Sequence, residues 1–91
     1  MLFSALFNFK MKFYAVLKTS YDENSGIELR VDCLCASEEE AHEVIDKERE
    51  HLESLGWEET ECNIALSMFN PLNELEYYHY EIQEMEVKAN A

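Results

Sequence analysis

Three groups of side chains in this chain have the types and spacing to do chemistry. Glu39/His42 and Glu48/His51 repeat a Glu-x-x-His spacing that carboxylate-bridged di-metal centres use. Those centres take the motif from two helices and add glutamates from two more. Here both copies fall on one predicted helix and point to opposite sides, so one metal cannot use both, and surface histidines are the plain reading. Cys33-x-Cys35 resembles a thiolate pair, yet structural zinc prefers two to four residues between its cysteines. In a strand both thiols point the same way as Val31, and Cys62 also falls on an apolar face, so all three are expected to pack as small hydrophobes. Tyr77-Tyr78-His79-Tyr80 is the densest aromatic cluster. Alternation puts Tyr78 and Tyr80 on one side and Tyr77 and His79 on the other, so one pair packs and the other is exposed, where tyrosine favours interfaces.

None of these amounts to an active site. There is no Gly-rich phosphate loop, nucleophile elbow or Walker pattern, so the expectation is no enzyme, no cofactor and no metal. Single-stranded nucleic acid would stack on the tyrosines only beside a basic groove, and the chain has none, so no direct nucleic-acid binding is expected.

The strongest signal is charge with an address. Twenty Asp and Glu stand against seven Lys and Arg, a net charge of −13 over 91 residues. Residues 1–21 hold three lysines and no acid, whereas residues 22–61 hold fifteen acids against three basic residues. Such self-repulsion opposes compaction and disfavours nucleic acid and anionic membrane, and a positive partner surface would explain its being tolerated. At about 100° per residue, Glu39, Glu43, Asp46, Glu50 and Glu53 share an arc of ~80° on one helix face, successive members three or four residues apart. Glu38 and Glu40 extend the row. Lys47 and Arg49 lie outside the arc, which leaves the row unneutralised on this reading. One interpretation is an ordinary solvated helix face. The other is a row of charge that imitates a phosphate backbone and occupies an Arg/Lys groove.

The elements that must position these residues follow from periodicity. Met11–Tyr21 alternates, with Phe13, Ala15 and Leu17 opposite Tyr14, Val16 and Lys18. Ile27, Leu29, Val31, Cys33 and Cys35 share one face of a second strand, and Asp22–Gly26 between them reads as a hairpin loop. Ser37 caps a helix, with Glu40 completing a capping box and Glu38–Glu40 favourable to the helix dipole. The helix runs to about Leu55, Gly56 suits the left-handed position after it, and Trp57 folds back. Ala41, Val44, Ile45, Leu52 and Leu55 form its apolar stripe. Glu48 sits within that stripe, where its stem packs while its head finds Arg30 or a solvent gap, unless this part faces another protein.

Glu59–Phe69 alternates with Cys62, Ile64, Leu66 and Met68 on one face, Asn70–Asn73 breaks the chain at Pro71, and Tyr77–Val87 is the last strand. Met85 and Val87 have the opposite parity to Tyr78, Tyr80 and Ile82, which a β-bulge near Gln83 or Glu84 would reconcile. The expected fold is α+β: a four-stranded antiparallel sheet in ββαββ order with one helix on one face, in a single domain over residues 1–91. The apolar segment Leu2–Phe9 is too short for a membrane span. It reads as an extra edge strand, a docking arm or an extension ahead of Met11. With no targeting signal the expectation is a cytoplasmic protein with free thiols.

In size, acidity and lack of catalytic motifs the chain resembles the small phage-encoded inhibitors of host defence, including anti-CRISPR proteins and other DNA mimics. These share no common fold, so no residue is carried over from them. The resemblance implies a compact non-enzymatic viral protein, acting in the host cytoplasm, that binds a basic surface of a nucleoprotein or nuclease and blocks nucleic-acid access. The acidic row is the expected contact. The alternative is a homo-oligomeric structural or regulatory module, a homodimer for instance, in which Leu2–Phe9, Tyr77 and part of the helix meet a second copy and acidity serves solubility.

Overall fold

A computed structural model describes residues 9–89. In chain order these form β1 (Phe9–Asp22), β2 (Gly26–Cys35), α1 (Glu38–Ser54), β3 (Glu58–Glu59), β4 (Leu66–Asn70) and β5 (Asn73–Ala89). The strands make one antiparallel sheet in the order β2-β1-β5-β4-β3. The fold is α+β with α1 on one face of an antiparallel sheet, as expected, but the expected four strands in ββαββ order are five: the short β3 is added at the edge, and the two hairpins join through β1 and β5. The expected role of Leu2–Phe9 falls, apart from Phe9, outside the described residues.

The local chemistry explains the boundaries. Asp22 Oδ1 accepts from the backbone N–H of Asn24 at 2.8 Å and of Ser25 at 2.6 Å, which closes the β1–β2 turn before Gly26. Ser37 Oγ accepts from Glu40 N at 3.1 Å, and Glu40 Oε2 accepts from Ala36 N at 3.1 Å, so the first turn of α1 is tied from both directions. At the other end Gly56 has φ +89°, and Trp57 N donates to Leu52 O at 2.9 Å. A Cβ at Gly56 would meet nothing within 4 Å. Gly56→Ala is therefore expected to cost about 1 kcal/mol through backbone conformation alone, measurable by urea unfolding.

Four expectations are corrected. The register between β1 and β2 shifts between Val16 and Leu17: Val16 pairs with Cys33, Leu17 with Val31, and Asp32 is the extra residue. A β-bulge reverses the parity of everything beyond it. Cys33 and Cys35 pack under α1, while Ile27, Leu29 and Val31 line the opposite face, Val31 being 56% exposed. In β5, by contrast, pairing with β1 runs unbroken from Tyr77 to Ala89. No bulge reconciles Met85 and Val87 with Tyr80; they belong to the other face. Finally, the alternation read over Glu59–Phe69 is not one strand. Only Glu58–Glu59 and Leu66–Asn70 pair, and the chain reverses between them without a Gly or Pro to mark it. Cys62 and Ile64 lie in that connection and are exposed, not core. Leu55 also leaves the predicted stripe, as the C-cap residue of α1 at 61% exposure.

The core sits between α1 and one sheet face. Ala41, Ile45 and Leu52 of α1 meet Val16, Cys35, Leu66, Met68 and Tyr80, and Trp57 closes one end against Tyr78. Residues Phe9–Phe13 and Met85–Ala89 pair only with each other, as a two-stranded ribbon. The Cα radius of gyration of 17.3 Å exceeds the ~12 Å of a compact chain this size, and the ribbon accounts for much of the excess.

Candidate functional site

The outer face of α1 carries the predicted row. Burial of Ala41, Ile45 and Leu52 fixes the helix's rotation, which turns Glu39, Glu43, Asp46, Glu50 and Glu53 to solvent, all exposed. Neighbours on a helix three or four residues apart stand roughly 5–6 Å from each other. Among the described residues no cation lies within ion-pair distance of Glu39, Glu43, Glu50 or Glu53.

Asp46 differs. Arg49 Nη1 donates to Asp46 Oδ1 at 2.6 Å, and Arg49 Nε donates to Glu59 Oε1 of β3 at 2.7 Å. Glu59 first, and Asp46 after it, hold the guanidinium pKa above its usual value. The expectation that Arg49 leaves the row unneutralised is thereby corrected: its long side chain reaches back one turn and splits the row into Glu39/Glu43 and Glu50/Glu53. The two flanking acids also have local partners. Glu38 Oε1 lies 3.6 Å from His42 Nε2, and Glu40 serves the cap.

Tyr77 is not part of this surface. It stacks on Tyr21 with ring centroids 5.3 Å apart and touches His79 at 4.6 Å, on the sheet face turned away from α1. Tyr78 and Tyr80 are the packed pair. Lys18 Nζ sits 4.0 Å over the Tyr78 ring, a favourable cation–π placement. Glu48 is half-buried and finds a partner other than the expected Arg30. The fully buried Tyr80 donates its hydroxyl to Glu48 Oε2 at 3.0 Å. Burial, and then the adjacent Glu48 charge, push the Tyr80 phenol well above its ordinary pKa, so it stays a donor.

The thiols lie where packing puts them. Cys33 and Cys35 Sγ are 3.5 Å apart, and burial pushes the Cys35 thiol up to about 11, with Cys33 adding to the shift. A thiol so raised is a poor nucleophile and a poor metal ligand at neutral pH. Cys62 is exposed and donates to Ile64 O at 3.2 Å. Among the described residues, no three His, Cys, Asp or Glu gather in a way that could hold a metal ion. The melting temperature is expected to be the same with or without chelator and dithiothreitol; a large drop in either would reveal a bond or metal holding the fold.

Sequence reasoning missed two features. Ser67 Oγ and His79 Nδ1 are hydrogen-bonded across β4 and β5, a pairing of nucleophile and base types. Ser67 is only 1% exposed, however, and burial holds His79 below its ordinary pKa, so the pair reads as an uncharged tie between strands. A cleft of about 580 Å³ also opens beside the N-terminal end of α1, lined in part by Tyr14, Glu38, His42, Ile82 and Glu84. Glu84 there is paired with Lys12 at 3.3 Å. Strand pairing and the packing of α1 on the sheet bring these residues together, so no local motif could have announced the cleft.

No protein-family model, curated protein or solved structure matches the chain. No helix among the described residues is long and apolar enough to cross a membrane.

Proposed function

We propose that this chain is a non-enzymatic inhibitor that seats the outer face of α1 in the Arg/Lys groove of a nucleic-acid-binding protein, as a nucleoprotein effector or nuclease would present. The supporting observation is that Glu39, Glu43, Glu50 and Glu53 are exposed and without a cationic partner among the described residues. Carboxylates at that spacing repel one another and cost the helix a few tenths of a kcal/mol per pair. A basic groove turns this cost into attraction. The contact replaces phosphates, so the target loses its nucleic acid as the inhibitor binds. This mode of action suits the anti-CRISPR proteins and DNA mimics that the chain resembles in size and acidity, and it places the chain in the cytoplasm of an infected host.

Displacement of labelled DNA from an RNA-guided nuclease tests the reading. Inhibition should fall steeply as salt rises, because several charge contacts are screened together. Inhibition that ignores salt would contradict it.

A further inference from the structure

The sheet face turned away from α1 has no layer over it among the described residues, and it is apolar. Ile27, Leu29, Val31 and Leu34 of β2 are 69%, 65%, 56% and 61% exposed, and Met11, Met85 and Val87 continue the patch along the ribbon at 43–49%. An antiparallel sheet with one wet face ordinarily alternates polar residues onto that face. This one does the reverse, and the bulge at Asp32 is what aims the β2 side chains there. We infer that this face binds a second copy of the chain, sheet against sheet, in a two-fold dimer whose acidic helices point outward on opposite sides.

Area and charge select that occupant. The seven side chains expose on the order of 800 Å², more than a typical monomer's largest patch and close to one partner's share of a standard interface. A hollow of about 360 Å³ lined by Phe13, Leu34, Cys35, Ala36, Met85 and Val87 gives the patch relief for interlocking. Among the described strand residues directed to this face, Glu81 and, at the β3 edge, Glu58 are the acids, and burial holds His79 below its ordinary pKa. A chain of net charge −13 meets another copy with least repulsion here. A basic partner would find far fewer acids here than on the outer face of α1, and an anionic lipid surface would be repelled by the whole molecule. An apolar face repeated on every copy can meet itself across a two-fold axis, the commonest symmetry of soluble oligomers, and sheets pack face to face in this way.

The inference is independent of the acidic-row reading, and salt separates the two. Screening relieves repulsion between like-charged copies, so dimerisation should tighten with salt while groove binding weakens. Sedimentation equilibrium of the full chain should give a dimer whose dissociation constant falls as sodium chloride is added. Val31→Asp and, separately, Leu29→Lys should each yield the monomer mass with an unchanged far-ultraviolet circular dichroism spectrum. Glu43→Lys, on the helix, should remain dimeric. The inference is overturned by a wild-type chain that sediments at 10.7 kDa at every concentration, or by a Leu29→Lys variant that folds and still dimerises. A monomer that floats with phosphatidylcholine vesicles would overturn it in favour of a lipid surface.

Discussion

Truncating Tyr80 to alanine is expected to lower the unfolding free energy by about 4 kcal/mol, the range for removing a buried aromatic ring. Total stability for a chain of this length is on the order of 5–13 kcal/mol, so the loss is a large share of it. Tyr80 is fully buried at the centre of the cluster formed by Val16, Ile45, Leu66 and Met68. Alanine would leave a cavity that rigid strands on both sides, β1 and β4, cannot collapse to fill. The hydroxyl adds a separate, smaller contribution. Tyr80→Phe keeps the ring but leaves the part-buried Glu48 carboxylate without its donor, at a cost of about 1–2 kcal/mol. Glu48→Gln keeps an acceptor and should change little. Urea unfolding at fixed protein concentration measures all three, which matters if dimerisation contributes to stability. Equal stability of Tyr80→Phe and wild type would show that the hydrogen bond contributes nothing.

Much of this framework was legible in the sequence because it depends on neighbours along the chain. The Ser37 cap, the Gly56 reversal, the Asp22–Gly26 turn and the stripe through Ala41, Ile45 and Leu52 are all local patterns, and the structure matches them. What depends on pairing was not legible. Ile27 to Cys35 alternates so regularly that the pattern predicts all five apolar residues on one face. The bulge at Asp32 splits them because Cys33 and Cys35 serve the helix side while Val31 and Leu29 do not. Met85 and Val87 posed the same question in reverse. Their odd parity is real, because both sheet faces carry apolar residues. At the candidate site, the rotation of α1 was readable, but the reach of Arg49 to Asp46 and Glu59 was not. Glu59 lies on a different element, brought close only by the fold.

That ion pair also decides how the acidic row should be tested. Reversing Asp46 would set a lysine against Arg49 and confuse loss of binding with loss of fold. Glu43→Lys, Glu50→Lys and Glu53→Lys combined avoids this, since none of the three has an ion-pair partner among the described residues. A lysine at position 43 gains Glu39 and Asp46 as helical neighbours, a lysine at 50 gains Asp46, and a lysine at 53 suits the C-terminal end of the helix dipole, which offsets new like-charge contacts with Lys47 and between positions 50 and 53. The triple variant should therefore melt close to the wild-type temperature. Its affinity for a basic groove should fall on the order of 100-fold or more, because attraction becomes like-charge repulsion at three contacts. The deciding measurement is inhibition of DNA cleavage by an RNA-guided nuclease that the wild-type chain inhibits, titrated with both proteins. Lost inhibition by a fully folded triple variant is the predicted result. Undiminished inhibition by that variant would contradict the proposal that α1 stands in for a nucleic-acid backbone.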